Sequence, residues 1–181
     1  MRKIILGVAV SLDGYIEGPQ GEYDWCFTDQ DYGMSDFMKR IDTIFFGRKS
    51  YEMMLRAGGD HTGGSAANPW AKMKNYVFSN TLKSAYKDTT LMSGDLKSQV
   101  DAMKSGEGKD IWLFGGASLT SSLLNAGLVD ELWLAVHPIL LGNGKLLFSG
   151  VQNRIKTRLK DVKSYSSGLV SLGYEIEKVV S

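Results

Sequence analysis

Four short segments place glycine, hydroxyl-bearing or basic residues directly after an apolar run. Their sequences are SLDG (11–14), GRKS (47–50), SNT (79–81) and GGAS (115–118). Ligands of open α/β sheets bind beyond the carboxyl ends of the strands, where such segments would lie. In three of the four, bare backbone N–H groups, an arginine fork or hydroxyl groups suit phosphate oxygens. Three such loops in one small domain indicate a ligand with several phosphates, such as a dinucleotide.

The adjacent glycines Gly115 and Gly116 interrupt the segment IWLFGGASLTSSLLNAG (111–127), in which an apolar run precedes a stretch of helical period. Glycine allows backbone angles that other residues avoid, and it leaves the N–H groups of the helix start uncovered. Such a helix N-terminus binds anions, most often phosphate. The alternative interpretation is a tight strand–helix turn without a ligand, and this segment alone leaves both open.

The segment 47–50 adds side chains that recognise phosphate. After Gly47 the chain carries a guanidinium, an ammonium and a hydroxyl group, on Arg48, Lys49 and Ser50. At an expected helix start, the fork geometry of arginine and the helix dipole both favour an anion. In the alternative interpretation, Arg48 and Lys49 are ordinary surface residues.

The third segment that suits phosphate binding consists of Ser79, Asn80 and Thr81, which follow the apolar run at 75–78. Their hydroxyl and amide groups form a polar cluster that is able to hydrogen-bond a phosphate or a ribose. Ser79 also has the alternative interpretation of a residue that caps a turn. The sequence leaves both roles open for this segment.

Other chemistries have less support in the sequence. His61, His137 and the single Cys26 lack the spacing of metal ligands, so we expect no metal site. A Ser-His-Asp hydrolase is disfavoured because no G-x-S-x-G elbow is present, and the standard G-x-G-x-x-G and Walker phosphate motifs are absent as well. His137 stands at the end of an expected strand, before a proline, and is interpreted as structural.

Composition and charge bound the class of protein. The chain has 181 residues, of which 43% are hydrophobic and 23% charged, and we expect one globular domain over 1–181. The formal net charge of +1 gives no electrostatic footprint for nucleic acid or an anionic membrane. No stretch approaches the roughly 18 apolar residues of a membrane helix. One cysteine excludes an internal disulfide and fits a reducing cytoplasm.

Strand-like and helix-like segments alternate along the chain. Strands are expected at 3–12, 43–47, 75–80, 89–94, 110–114 and 130–140, and helices at 31–41, 49–57, 95–106 and 118–127. This alternation predicts a mainly parallel sheet with helices on both faces. The glycine-rich stretch 57–70 is expected to be a loop, and residues 158–179 alternate around Ser-Ser-Gly as in an antiparallel hairpin.

Four segments together resemble the dihydrofolate reductase-like family. They read VAVSLDGYI, IFFGRKSYE, IWLFGGASL and AGLVDELWLAVHPILLGNGKLLF. The chain is most similar to the subgroup related to the reductase domain of bacterial bifunctional riboflavin-biosynthesis deaminase-reductases, and the likeness covers essentially the whole chain. It implies a three-layer α/β/α fold, whose mixed, mostly parallel sheet ends in a C-terminal antiparallel hairpin, with NADPH bound across the sheet.

The resemblance also assigns roles to individual residues. It implies that Arg48 and Ser50 hold phosphates, that Ser79 and Asn80 flank the adenosine ribose and its 2′-phosphate, and that Ala9 and Ile16 pack near the nicotinamide. The pyrophosphate would lie on a run of five residues: Gly115, Gly116, Ala117, Ser118 and Leu119.

On the substrate side, Asp13 is the carboxylate that we favour as catalytic, and a plain Asp-Gly turn is the alternative. Trp25, Phe27 and Tyr32 either line the substrate pocket or form ordinary aromatic core. The resulting expectation is an NADPH-dependent reductase of a pyrimidine- or pterin-like heterocycle. The nearest named activity is 5-amino-6-(5-phosphoribosylamino)uracil reductase. Alternatives are a dihydrofolate reductase-type enzyme and a nucleotide-binding module without catalysis.

The C-terminal hairpin predicts a homodimer. It offers more apolar surface than one face of a sheet would use, through Leu169, Val170, Leu172, Tyr174 and Ile176. An exposed, regular edge strand is normally blunted or covered. The related reductases pair through this region, so we expect the hairpins of two copies to bury each other's apolar residues.

Overall fold

The computed structural model describes residues 1–56, 72–86 and 88–178. The helices are α1 (Met34–Arg40), α2 (Arg48–Arg56), α3 (Leu96–Ser105) and α4 (Ala117–Asn125). The strands are β1 (Ile4–Ser11), β2 (Tyr15–Glu17), β3 (Ile41–Gly47), β4 (Lys74–Phe78), β5 (Thr89–Met92), β6 (Asp110–Gly115), β7 (Glu131–His137), β8 (Lys145–Leu146), β9 (Thr157–Ser164) and β10 (Val170–Ile176). None of the described helices is long and apolar enough to cross a membrane.

Eight strands form one sheet in the order β5-β4-β3-β6-β1-β7-β10-β9. All neighbours from β5 to β7 are parallel, whereas β10 runs antiparallel to both β7 and β9. The mixed, mostly parallel sheet with a C-terminal antiparallel hairpin is therefore confirmed. The short strands β2 and β8 pair separately.

Helices cover both faces of the sheet, which gives the expected three layers. One apolar cluster packs residues of α3 and α4 against the sheet, with Val100 and Leu123 completely buried. The other packs α1 and α2 against the opposite face, through residues such as Phe37 and Met54. Strand β1 contributes to both clusters because successive side chains point to opposite faces of a sheet. This explains why its sequence is an almost continuous apolar run.

The caps of α3 follow the sequence pattern. The carboxylate of Asp95 accepts a hydrogen bond from the Lys97 N–H at 3.1 Å, and Gly106 is the C-cap residue. Helix α1, in contrast, begins at Met34, three residues later than expected. Tyr32 and Gly33 both have positive φ angles, 48° and 84°, which end the preceding loop instead of extending the helix.

The small β2–β8 sheet has no counterpart in the sequence prediction. Strand β8 has two residues and β2 has three, too short for any periodicity to appear. The loop expected at 57–70 lies outside the described residues.

At the amino end of the parallel strands, the buried carboxylate of Glu131 joins three elements. It accepts hydrogen bonds from Lys3, which directly precedes β1, and from Lys160 of β9, both at 2.7 Å, and from Arg40 of α1 at 2.9 Å. Burial alone would raise the pKa of Glu131, but the hydrogen bonds and charges of these cations outweigh it and lower the pKa to about 2.

Candidate functional site

The carboxyl ends of five parallel strands meet at one edge of the sheet. Because β4, β3, β6, β1 and β7 are consecutive neighbours, the segments that follow them lie side by side. All four polar segments singled out in the sequence are therefore at this edge. His137, the last residue of β7, lies next to Ser11, the last residue of β1.

Three glycines form a cradle where β3 and β6 end. A Cβ atom added to Gly47 would lie 3.4 Å from the backbone N of Gly116, and one added to Gly116 would lie 3.1 Å from Oγ of Ser50. Gly115 has a φ of 117°, which side chains other than glycine rarely adopt, and the Gly115–Gly116 peptide bond is cis. The two glycine-containing loops therefore approach each other closely, and glycine keeps this approach free of side chains.

The first turn of α4 faces this cradle. Its N-cap residue, Gly116, supplies no side-chain hydrogen bond to the helix. The first N–H groups of a helix have no partner within the helix, and they attract anions through hydrogen bonding and the helix dipole. The amides of Ala117, Ser118 and Leu119 can consequently bind phosphate oxygens.

Within the described residues, two buried side-chain polar atoms lack a hydrogen-bond partner, Oγ1 of Thr120 and Nε1 of Trp25. Thr120 is in the first turn of α4, and its Oγ1 would lie 3.9 Å from a Cβ atom on Gly115. The ring of Trp25 packs edge-on against His137, with 5.2 Å between the ring centroids. Both atoms thus lie at the carboxyl edge of the sheet, one beside the glycine cradle and one beside the end of β7.

The basic residues of α2 are at the surface. The Arg48 side chain is 45% exposed, and its Nη1 donates to Oε1 of Glu52 one helical turn away, at 3.1 Å. Lys49 is exposed and Ser50 is half-buried beside Gly116. An exposed pair of this kind contributes little to stability, so the guanidinium of Arg48 is able to exchange Glu52 for another anion.

Ser79 and Asn80 organise the loop after β4. The hydroxyl oxygen of Ser79 accepts hydrogen bonds from the N–H groups of Thr81 and Leu82, at 3.1 and 3.0 Å. The side-chain oxygen of Asn80 accepts one from the N–H of Gly94, at 3.0 Å. Ser79 therefore does cap a turn, and Asn80 connects that turn to the segment between β5 and α3.

Asp13 connects two loops at the end of β1. Its carboxylate accepts hydrogen bonds from the Ser11 hydroxyl at 2.6 Å, from the Leu141 N–H at 3.1 Å and from the Gly142 N–H at 2.7 Å. The hydrogen bond from Ser11, followed by those from the backbone, lowers the pKa of Asp13. Asp13 is therefore ionised at neutral pH and holds the 139–144 segment against the SLDG turn.

Ala9 and Ile16, the two residues assigned to the nicotinamide, lie on the consecutive strands β1 and β2. Ala9 is half-buried in β1 and is paired with Ala135 of β7, while Ile16 of β2 packs against the α3–α4 face of the core. Both positions flank the SLDG turn in the sequence.

The aromatic residues before α1 pack at the same edge. The Phe27 ring lies 5.0 Å from the His137 ring and 6.2 Å from that of Tyr32. Tyr32 also packs edge-on against Tyr165, in the turn between β9 and β10. Trp25, Phe27 and Tyr32 are candidates from the sequence, whereas their contacts with His137 and Tyr165 join residues far apart in the chain and have no local sequence signal.

The described residues contain no group of three or more His, Cys, Asp or Glu side chains placed to hold a metal ion.

A family model and several known proteins match this chain. A family model described as the RibD C-terminal domain matches residues 2–171. The protein YyaP of Bacillus subtilis strain 168 is 41% identical to this chain over 177 residues, which cover 96% of this chain and 94% of YyaP. Among solved structures, a protein of Shewanella sp. PV-4 named for riboflavin biosynthesis has a TM-score of 0.82 and 24% identity, and the match covers 98% of this chain and 100% of that one.

Two further structures share the fold at lower identity. The diaminohydroxyphosphoribosylaminopyrimidine deaminase/5-amino-6-(5-phosphoribosylamino)uracil reductase of Thermotoga maritima has a TM-score of 0.72 and 14% identity; the match covers 97% of this chain and 57% of that one. Dihydrofolate reductase of Enterococcus faecalis, solved with NADP(H), has a TM-score of 0.69 and 13% identity, and the match covers 97% of each chain. The family model spans nearly the whole sequence, and the chain therefore belongs to the RibD C-terminal domain family.

Proposed function

We propose that this chain is an NADPH-dependent oxidoreductase that reduces a pyrimidine- or pterin-like heterocycle. Membership in the RibD C-terminal domain family supports a reductase, and the uracil reductase of Thermotoga maritima has the same fold. The nearest named activity is that of 5-amino-6-(5-phosphoribosylamino)uracil reductase.

The observation that carries this proposal is the glycine cradle below the open N-terminus of α4. Gly47 and Gly116 leave backbone N–H groups accessible, and the cradle would be filled by side chains at either position. The first N–H groups of a helix have no partner within the helix and attract the oxygens of an anion, so a ligand with several acceptor oxygens fits this edge.

Three sets of residues at this edge would hold the phosphates and the adenosine ribose of NADPH. The amides of Gly116 to Leu119 would bind the pyrophosphate, and Arg48 with Ser50 would bind phosphate at the start of α2. Ser79 and Asn80 would flank the adenosine ribose.

Ala9 and Ile16 would pack near the nicotinamide, at the end of β1. When bound, NADPH supplies the hydride, so the protein contributes binding, orientation and electrostatics.

On the substrate side, the chain orients and encloses the heterocycle. The rings of Trp25 and Phe27 offer flat apolar surfaces against which a heterocycle can stack. We assign to Asp13 the role of the negatively charged group that fixes the 11–14 and 139–144 loops beside the substrate. Because its pKa is lowered, Asp13 accepts hydrogen bonds and does not supply a proton at neutral pH.

The experiment that tests the proposal is a fluorescence titration with NADPH of the native protein and two glycine variants. The added methyl group of Gly47→Ala would make ordinary contacts, 3.4 Å from Leu119 Cβ, but would cover the N–H of Gly116. Gly106→Ala is the matched control, because Gly106 caps the far end of α3 and an added Cβ has 3.6 Å of space.

We expect Gly47→Ala to weaken NADPH binding at least about tenfold, the scale of one lost hydrogen bond to a charged group, and Gly106→Ala to leave it unchanged. Equal affinities of all three proteins would contradict the assigned cofactor site. Oxidation of NADPH is then followed with dihydrofolate and with 5-amino-6-(5-phosphoribosylamino)uracil. Binding of NADPH without turnover of any heterocycle would favour the non-catalytic alternative.

A further inference from the structure

His137 connects the carboxyl end of β7 to the aromatic segment 23–29. The residue is 2% exposed, and both of its ring nitrogens have partners. Nε2 lies 3.1 Å from the backbone N of Phe27, and Nδ1 lies 2.9 Å from the backbone O of Ala135. A backbone N–H can only donate and a backbone carbonyl can only accept, so the hydrogen of the ring must be on Nδ1. The hydrogen-bond network thus assigns a neutral imidazole with Nε2 as acceptor.

This contact is the main attachment of the segment to the sheet. Within the segment, the Cys26 N–H donates to the Tyr23 carbonyl, which closes a local turn. In the part of the chain that the structure describes, the Phe27–His137 pair is the hydrogen bond that joins residues 23–29 to a strand of the sheet. The rings of Trp25 and Phe27 pack against the imidazole, with centroids 5.2 and 5.0 Å away.

The attachment lies beside the substrate side of the proposed site. His137 is paired in register with Ser11, whose hydroxyl donates to Asp13. A movement of the imidazole or of segment 23–29 would therefore alter the wall next to the end of β1, and leave the glycine cradle at the ends of β3 and β6 in place.

A protonated imidazole would not keep this geometry. With hydrogens on both nitrogens, the ring would present a donor to the N–H of Phe27, and the hydrogen bond would be replaced by a repulsive contact. Burial lowers the pKa of His137, the hydrogen bond with Ala135 acting in the opposite direction, so the neutral form prevails at pH 7.

Several titratable groups belong to the elements that surround the ring. They are Asp13 after β1, Tyr23, Asp24, Cys26 and Asp29 of the segment, and Tyr165 of the β9–β10 turn. Asp13 is engaged by Ser11 and two backbone N–H groups, and Asp29 by the Tyr32 hydroxyl. Burial, together with the charge of Asp24, raises the pKa of Cys26 to about 11, so its thiol is neutral. The pKa of His137 is set by its burial and its hydrogen bond with Ala135, and not by the charges of these groups.

We propose that His137 is a positioning residue for the substrate: its neutral ring holds segment 23–29 as one wall of the heterocycle site, and protonation of the ring releases that wall. The substrate part of this inference rests on the proposed function, whereas the attachment itself does not. The wall and the cofactor cradle are separate, so release of the wall is expected to affect the heterocycle and spare NADPH.

The test compares native protein with His137→Gln and His137→Leu. Glutamine offers a neutral oxygen acceptor in place of Nε2 and does not titrate, whereas leucine offers no acceptor. Hydrogen exchange of peptides covering 23–29 is measured by mass spectrometry at pH 7 and near pH 5, corrected for the intrinsic pH dependence of exchange. Peptides from α4 serve as the internal control, and circular dichroism verifies that each variant is folded.

We expect protection of segment 23–29 in the native protein to fall about tenfold near pH 5, the scale of one lost hydrogen bond. His137→Gln should keep its protection at both pH values, and a folded His137→Leu should have low protection at both. Equal protection of the native segment at the two pH values would overturn the proposal. If the leucine variant does not fold, the comparison between native protein and His137→Gln decides alone.

A second measurement separates this inference from the proposed function. With a heterocycle that the native enzyme reduces, the KM for that heterocycle should be higher near pH 5 than at pH 7 in native protein and equal at the two pH values in His137→Gln, while the Kd for NADPH is unchanged in both. A pH-independent KM with a pH-dependent exchange would overturn the wall assignment. Absence of NADPH binding at every pH would refute the proposed function and leave the exchange result valid.

Discussion

Replacing Glu131 with glutamine should destabilise the fold in a manner that depends on pH. The Glu131 side chain is only 5% exposed, and its two oxygens accept hydrogen bonds from Lys3, Arg40 and Lys160. Glu131→Gln keeps the shape of the side chain but removes the negative charge that the three cations share. Arg40 keeps Asp110 and Lys3 keeps Glu175 as a partner, whereas Lys160 loses its carboxylate partner. Strands β1 and β9 and helix α1 would all lose an attachment at once.

The magnitude follows from the pKa of the carboxyl group. A pKa of about 2 in the folded protein, against an ordinary value of 4.5, corresponds to at most about 3 kcal/mol of stabilisation at neutral pH. The three cations are each nearly half exposed, so solvent screening reduces this to about 2 kcal/mol. Because the folded pKa is the lower one, this contribution is complete above the unfolded pKa and is lost as the pH falls from about 5 towards 2.

The assay is urea unfolding of native protein and variants at pH 7 and near pH 3. At pH 7 we expect Glu131→Gln to lower the free energy of unfolding by about 2 kcal/mol, and near pH 3, between the unfolded and the folded pKa, by less than about half of that. Glu175→Gln is the matched control: Glu175 also pairs with cations, Arg158 and Lys3, but is 37% exposed, so its loss should cost less than about 1 kcal/mol. The reasoning is refuted if Glu131→Gln loses the same stability at both pH values, or no more than the control loses.

Three further predictions concern the cofactor, the turn after β1 and the assembly. Arg48→Ala should weaken NADPH binding by about 1.5–3 kcal/mol and leave NADH little changed, because a 2′-phosphate can replace Glu52 as its partner; equal losses in titrations with both cofactors would exclude that role. Asp13→Asn should reduce turnover without changing the Kd for NADPH, and a variant that only melts earlier, with native turnover at low temperature, would leave a turn role alone. Light scattering should give about twice the 19.9 kDa chain mass. Val162→Lys should give monomers, because Val162 is 56% exposed and is paired with Leu172 in the hairpin. A native protein of single-chain mass would contradict the dimer.

Much of the fold could be predicted because its signals are local. The apolar run of β1, the Asp95 cap and the glycines that follow β6 each depend on neighbouring residues, and the structure confirms the strands and helices they predict. The later start of α1 has a local cause as well, the positive φ angle of Tyr32. A tyrosine seldom has that backbone angle. A prediction from residue type could not include it.

The candidate site was predictable as a set of loops but not as a set of contacts. The carboxyl-end rule brought Gly47, Gly116 and Ser79 to one edge of the sheet. The contacts of Asp13 with Leu141 and Gly142 join residues that are distant in the chain, and the donors are backbone amides, which carry no residue signature. The Phe27–His137 hydrogen bond has the same character, since only the folded chain brings the amide to the ring.

The position of β1 in the sheet has a consequence for how the chain folds during synthesis. This first strand lies between β6 and β7, and its partners, Ile111–Leu113 and Glu131–His137, belong to the second half of the sequence. Strands β3, β4 and β5 are able to pair with one another as they emerge, whereas β1 has no neighbour until β6 is made. Its apolar side chains therefore stay exposed until β6 and β7 have been made, and closing so long a loop slows folding. The most aggregation-prone stage of the nascent chain is accordingly the interval before β6 and β7 enclose β1.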